Sequence, residues 1–546
     1  MPLKWSQPQP RLLIASLSLG ALIFGCLSGV ARPAHSAAAL QPGLQASEQA
    51  QIDAYIASRM RTTNIPGLAL GVVRGDQIVY LKGYGVAGQG GRTVTPQTPF
   101  IIGSLSKSFT ALAVMQLVEA GQIDLDAPVT RYLPWFRTAD SAASAQITVR
   151  QLLNQDSGLP VFEGRRGLVD DDQADAALET GVRQLATVTL SRPAGQAFEY
   201  ANENYTTLGL IVQAVSGTSY EDVIRAKILA PLQMRHSAAA LTDPAAQGMA
   251  TGYRYWLWWP IAFDAPYPRR QTPAGFLISS AEDMSHYLSA HLNGGAYAGQ
   301  AILSPSGVDT LHAPGAPLRV GATSAYAMGW VVRDQAGAVR LEHNGDISNY
   351  HANMLLLPDQ KIGIVILTNV NGFNHGAALN LPIEGVAAIL QGHGISPAVD
   401  PPTEWLRPAL LLLPVLVAFS WAAGSLAFIR HWLRRGGLPV RALLGAPAAA
   451  SGGRQGVSVR IARGGMPDSW PILWRCALLL AVDLCLGGAA WLILPARFQA
   501  PLATIGLFAP DVMVVIGLLT GLSLTGALGR NLFVFLSVRK MRSAGR

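Results

Sequence analysis

The spacing of apolar and polar positions divides the chain into three regimes. Behind Lys4 and Arg11 runs an apolar stretch, Leu12 to Val30, followed by small residues at Ser36-Ala37-Ala38-Ala39. From 40 to 395 short apolar segments alternate with polar, glycine-rich turns. Beyond the Pro-rich stretch 396–404 come three nearly uncharged apolar stretches, 405–429, 471–494 and 510–536. Each reaches the roughly 20 residues that a helix needs to cross a bilayer.

Within the middle regime the pattern predicts a helix over Ser47 to Arg61. Leu68-Ala-Leu-Gly-Val-Val and Gln77-Ile-Val-Tyr-Leu read as two strands joined by a turn at Arg74-Gly-Asp. A long mixed stretch of helices and turns follows. Strands return at Met328-Gly-Trp-Val-Val, Val339 to His343, His351 to Leu357 and Ile362 to Leu367, and an amphipathic helix over 376–391 ends the region. Strands at both ends with helices between them predict an α+β domain. One antiparallel sheet is built from both termini and flanked by helices, beside an all-helical region.

Composition sharpens this picture. Half of the 546 residues are hydrophobic, only 14% are charged and mean hydropathy is +0.28. The formal charge of +8 is unevenly spread. Residues 1–39 and 405–546 are basic, whereas 40–404 carry more acidic than basic residues. A nucleic-acid binder would place its basic charge on the folded domain, so nucleic acid is excluded as a partner. The basic n-region, the apolar run and the small residues predict a signal peptide over 1–39. Arginines crowd the loop 430–470, and Arg539, Lys540, Arg542 and Arg546 follow the third stretch. The positive-inside rule makes that loop and the tail 537–546 cytoplasmic. Three spans then leave 40–395 outside the cytoplasmic membrane, where the signal peptide would also send it. Cys26, Cys476 and Cys485 all lie in apolar stretches. The middle region therefore has no thiol nucleophile and no disulfide. No metal motif and no phosphate loop is present, so no cofactor is expected.

Three short motifs carry candidate chemistry. Ile101-Ile-Gly-Ser-Leu-Ser-Lys contains Ser104-x-x-Lys107. On a helix those two residues share a face, which puts an amine beside a hydroxyl. A serine is a weak nucleophile until a base takes its proton, and a desolvated lysine can lose its charge and serve. Gly103 lets the chain turn into the helix. Ser537-Val-Arg-Lys540 matches the same pattern in the tail, so the pair alone is weak. Phe198-Glu-Tyr200-Ala-Asn202 supplies a phenol that, beside Lys107, would act as base to Ser104 and then as acid to the leaving group. Asn202 would hydrogen-bond Lys107 or a substrate amide. Leu341-Glu-His343-Asn-Gly345-Asp346 lies at a strand end. There Gly345 would allow close approach of substrate, and His343 would donate to a carboxylate or carbonyl. The backbone N–H groups of Ser104 and Asp346 would form an oxyanion hole.

In this order the three motifs resemble those of the serine β-lactamase and penicillin-binding-protein family, of the class C type. In that family Ser-x-x-Lys, Tyr-x-Asn and Lys-Thr-Gly or His-x-Gly meet in one cleft. Ile147 to Pro160, Pro273 to Met284 and Leu357 to Val365 are similar as well. The resemblance implies a β-lactamase/transpeptidase-like domain followed by a three-helix transmembrane domain. That layout is similar to the colibactin-maturing periplasmic peptidases, which remove an N-acyl-D-amino-acid cap from an exported precursor. Two positions depart from them. Asn202 stands where the colibactin enzyme has serine, and His343-Asn-Gly345 stands where a His-Gly-Gly stretch is found. The former alters a substrate-contacting position, and a mostly neutral histidine would grip a substrate carboxylate less firmly than lysine.

The expected function is a membrane-anchored, extracytoplasmic serine hydrolase acting through an acyl-enzyme on a small-molecule or peptide-like amide. N-acyl-D-aminoacyl substrates head the field. A β-lactamase, a D,D-carboxypeptidase and an esterase share the same site. A rival of another class is a penicillin-type sensor or transporter-associated binding protein, with the spans contacting an exporter or a second copy. The aromatic run Tyr253 to Pro260 would line a groove for an acyl chain, rest on the membrane interface, or pack as a lid or core segment.

Overall fold

The computed structural model describes residues 43–394 except 89, 336, 373 and 374, a few isolated positions between 412 and 430, and residues 491–544. The expected signal peptide 1–39 and, apart from those isolated positions and residues 491–494, the span 405–429, the basic loop 430–470 and the span 471–494 lie outside the described residues.

Helix α1 (Ala46–Thr63) opens the domain. It leads into β1 (Gly67–Arg74) and β2 (Gln77–Gly85), joined at Gly75, whose φ of +60° suits a glycine. The remaining strands of the main sheet arrive after more than two hundred residues of helix and loop. They are β3 (Ala316–Pro317), β4 (Ser324–Tyr326), β5 (Val331–Gln335), β6 (Ala338–Asp346), β7 (His351–Leu357) and β8 (Ile362–Thr368). Their order is β2-β1-β8-β7-β6-β5-β4-β3, and every pairing is antiparallel. The early and late strands of the domain meet at β1 and β8, where Leu68 faces Thr368 and Arg74 faces Ile362. The sheet assembled from both termini is therefore present.

β7 and β8 are buried along their whole length. Strands covered on both faces read as continuous apolar runs, as Ile362 to Leu367 do. One face holds Leu68, Leu70, Val72, Ile364 and Ile366 against α1 and the C-terminal helix of the domain, Gly376–Leu390. The other holds Ala69, Val73, Val365 and Leu367 against the helix Ala281–Leu292. That helix lies close because Gly71 has no side chain. A Cβ there would fall 2.3 Å from Ser285 Oγ.

The predicted strand at 328–332 begins three residues late. Met328, Gly329 and Trp330 are a turn, with Gly329 at φ +82° pressed against the backbone of Ser108. Trp330 is buried whole and contacts His291 and His312 edge-on. The aromatic run forms a hairpin, Tyr253–Trp256 with Trp259–Ala262. Tyr255 stacks on His375 and bonds the Thr63 carbonyl, while Trp259 is 69% exposed. No residue of this hairpin lines the cleft that holds Ser104, so it is not that cleft's acyl groove.

Residues 491–544 form a helix to Phe498, a bend, the helix Leu502–Phe508 and the long helix Pro510–Ala544, which contains the expected span 510–536. Among the described residues no single helix is long and apolar enough to cross a membrane. The pair Trp491–Phe498 and Leu502–Phe508, bent by 76°, passes only when taken together.

The buried His291 and His312 give a pH prediction. Their nitrogens lie 3.0 Å apart, and burial holds both neutral, His291 well below the usual histidine range and His312 at about 4. Unfolded histidines titrate near 6.5. The native state thus binds fewer protons than the unfolded state below that pH. The stability contribution is complete above about 6.5 and lost as pH falls towards 4. Melting temperature measured across this window should fall steeply for the native protein and less steeply for His312→Gln.

Candidate active site

Ser104 lies in the single 3-10 turn Gly103–Leu105, which runs directly into the helix Ser106–Glu119 carrying Lys107. The turn is fixed locally. Ser106 Oγ donates to the Gly103 carbonyl at 2.8 Å and accepts the Leu277 N–H at 3.1 Å. Gly103 has φ +56° and sits against Gly345 at the end of β6. A Cβ on Gly103 would fall 2.7 Å from the Asp346 nitrogen, and one on Gly345 would fall 2.1 Å from the Ile102 carbonyl oxygen. Gly345 thus accommodates the chain leading to the nucleophile rather than a substrate. This mutual approach brings the backbones at Ser104 and Asp346 side by side.

Lys107 has no exposed surface. Its Nζ lies 3.0 Å from Ser104 Oγ, 2.9 Å from Asn202 Oδ1 and 2.6 Å from the Ala274 carbonyl. Burial drives its pKa well below the usual lysine value, against the opposing influence of Glu203. A neutral amine has two N–H groups and one lone pair. Asn202 Oδ1 and the Ala274 carbonyl can only accept, so they take the two N–H groups. The lone pair is left for the Ser104 hydroxyl, the geometry of a base poised on its nucleophile.

Tyr200 differs from the sequence expectation. Its ring stands under Lys107 Nζ, 4.8 Å from the centroid. Burial raises its pKa well above the usual phenol range, reinforced by Tyr326; the hydrogen bond with Ser104 pulls the other way but less strongly. Arg165 favours a phenolate, but burial opposes it more strongly. Tyr200 therefore rests as a proton donor, and the lysine is the basic member of the pair.

Asn202 begins the helix Asn202–Ser216 and serves Lys107, as one of the two sequence alternatives had it. Its segment is tied down by Gln155, a buried residue at φ +61°. Gln155 Oε1 accepts the Ala201 N–H at 2.9 Å, and its carbonyl accepts the Glu199 N–H at 2.7 Å. In the first turn of this helix Glu203 is buried, its pKa raised to about 7 by burial despite Arg270 3.6 Å away.

His343 lines the cleft, but its hydrogen bonds correct the role expected for it. Nδ1 lies 2.6 Å from the Asn344 carbonyl, which can only accept, so Nδ1 carries the proton. Nε2 then accepts from the Tyr326 hydroxyl at 3.2 Å. Burial lowers its pKa to about 4. A neutral ring with both nitrogens engaged has no proton to offer a carboxylate. The Asp346 carboxylate accepts from His351 at 2.7 Å, from Asn371 at 2.9 Å and from the Asn344 amide. Desolvation opposes its charge, yet these partners hold its carboxyl below the usual range. The structure thus gathers Ser104, Lys107, Tyr200, Asn202, His343, Gly345 and Asp346 around one cleft of about 650 Å³. Ala274, Gln155 and Tyr326 are functional neighbours that the motifs did not single out, although the first two lie in stretches that carried the resemblance. Among the described residues no cluster of three or more His, Cys, Asp or Glu could hold a metal ion.

Comparison with known proteins bears on the family and the fold. Protein flp of Staphylococcus aureus strain MW2 is 30% identical over 332 residues, 59% of this chain and 63% of its own length. An unguisins hydrolase of Aspergillus campestris is 29% identical over 328 residues, 56% of this chain and 59% of its own. The match thus spans less than two thirds of either relative. Among solved structures, the octameric penicillin-binding protein homologue from Pyrococcus abyssi superposes with a TM-score of 0.55 at 26% identity, covering 66% of this chain and 81% of that one. A D-amino acid amidase from Ochrobactrum anthropi, at 22% identity and TM-score 0.55, shares the fold, with 63% of this chain and 99% of that one covered. The Beta-lactamase family profile matches residues 52–388, well over half of the chain, and the chain belongs to that family.

Proposed function

We propose that this protein is a serine hydrolase that cleaves an amide through an acyl-enzyme, with Ser104 as nucleophile, Lys107 as base and Tyr200 as acid. The observation that carries the reading is the buried amine of Lys107, held by two obligate acceptors with its third position on Ser104 Oγ at 3.0 Å. As Oγ attacks the carbonyl carbon, Lys107 takes its proton. The carbonyl oxygen becomes an oxyanion between the N–H groups of Ser104 and Asp346. Tyr200 gives its proton to the leaving nitrogen and recovers one from Lys107. Water then repeats the sequence, adding its oxygen to the acyl carbon and returning the proton to Ser104.

For the substrate we favour N-acyl-D-aminoacyl amides, by the resemblance in layout to the colibactin-maturing peptidases and the hydrolase named among the sequence relatives. The neutral, fully engaged His343 supports substrates without a free carboxylate at that position. Membrane anchoring through 405–429, 471–494 and 510–536, with the domain outside the cytoplasm, is part of the same proposal. It rests on hydropathy and arginine placement.

Two predictions follow from the mechanism. Full-length protein in membranes should cleave D but not L forms of matched N-acyl-aminoacyl amides, and Ser104→Ala should reduce turnover by a factor on the order of 10³ or more. Cleavage that survives Ser104→Ala removes the nucleophile. Absence of cleavage of either form, with turnover of β-lactams, peptidoglycan stems or esters instead, moves the substrate to the corresponding relative. Gly345→Ala places a methyl against the Ile102 carbonyl and should displace the nucleophile turn. A shift of about 1 Å there lowers kcat by roughly 10²-fold. A variant with native kcat would show that the close approach does not hold the oxyanion site.

A further inference from the structure

The cleft has a second wall that the Beta-lactamase match, ending at 388, does not include. Phe498, Ala500, Thr504, Ile505 and Phe508 line the same cleft as Ser104 and Tyr200. They come from the bend between the helices Trp491–Phe498 and Leu502–Phe508, where Gln499 adopts φ +46°. Two reciprocal bonds seat this bend. The Arg165 guanidinium donates to the Phe498 carbonyl, and Thr504 Oγ1 donates 2.8 Å to the Arg165 carbonyl. The short helix packs on the turn Gly167–Val169, and Ala500, Thr504 and Ile505 are buried there. The catalytic side contributes Val161, Leu168, Phe198, Leu318 and Val331 to the same chamber. Apolar side chains from both segments therefore line the cleft that holds the nucleophile, beside the polar Arg319, Asn344 and Asn371.

We propose that residues 498–508 are a specificity-determining wall of the active site, and that the chamber they close binds an extended apolar group on the acyl side of the substrate. The inference rests on Ser104 being the nucleophile, but not on the D-aminoacyl reading. A cavity of about 650 Å³ lies within the range of small-molecule sites, roughly 300–1,000 Å³. Each methylene moved from water into such a chamber contributes about fourfold in affinity. Selectivity should therefore rise with chain length until the chamber is full. Arg165 is the positioning residue. It holds the wall through its backbone and its side chain together, so that the downstream segment and the catalytic face form one site.

The test uses alkyl fluorophosphonates, which label a reactive serine by losing fluoride and need no turnover. Second-order labelling rates are measured on the full chain with a methyl and a decyl probe. The native protein should label about tenfold or more faster with the decyl probe. Ile505→Asp combined with Phe508→Ala should cut that ratio to below about threefold in the folded variant. Val514→Ser, on the long helix outside the cleft, should leave the ratio as it is. A ratio near one in the native protein overturns the proposal, as does a native ratio in the folded double variant. If the double variant does not fold, Ile505→Ala alone reads the same ratio and decides in the same way. Labelling that persists in Ser104→Ala contradicts the nucleophile itself, an outcome separate from loss of chain-length selectivity.

Discussion

A lysine side chain shut away from water is the constraint on which this site depends. Leaving an ammonium uncompensated in an apolar interior costs several kcal/mol. Such a group either finds an anion or gives up its proton. Lys107 finds no anion in contact, only Asn202, Ala274 and Ser104. The carboxylate that influences it, Glu203, is itself buried, with a pKa raised to about 7. Giving up the proton yields a free amine beside a hydroxyl, which is what a serine nucleophile requires. The same burial that makes the lysine a base keeps Tyr200 a phenol. The two groups thus begin the reaction in opposite proton-handling states.

The fold serves this arrangement by bringing distant segments to one point. β6 delivers Gly345, the 3-10 turn delivers Ser104, and their two glycines let the backbones touch. The helix from Asn202 delivers the amide, anchored by Gln155 from another loop. Ala274 arrives from a segment whose next residues pair with the strand before Ser104, Ile101 facing Ile278. The bend at 498–508 lines the same cleft as Ser104 and Asn202, held by Arg165.

Much of this was legible in the sequence because it depends on short-range patterns. A continuous apolar run marked β8, and the i,i+3 spacing of Ser104 and Lys107 survives in the structure. What was illegible depends on contacts made across the fold. The Ala274 carbonyl is a backbone group, so no residue type signals its role. Tyr326 is one tyrosine among 14, and only its approach to His343 shows that the imidazole has no proton to offer. Phenol acidity at Tyr200 was misjudged because the sequence gives the neighbouring lysine but not the burial that discharges it. The turn at Met328 to Trp330 reads as strand because its residues are apolar, yet Gly329 presses on Ser108 and breaks the extension. The second wall lies more than a hundred residues beyond the family match, where hydropathy speaks of membrane and not of a cleft.

The central claim is that Lys107 is an uncharged base in the resting enzyme. It is tested most directly by the rate of Ser104 acylation under single-turnover conditions as a function of pH. The account predicts a rate that stays level through neutral pH and falls only on the acid side, far below the ordinary lysine range near 10.4. A rate that climbs steadily from neutral pH towards 10 would mean that the lysine is charged at rest, and would contradict it.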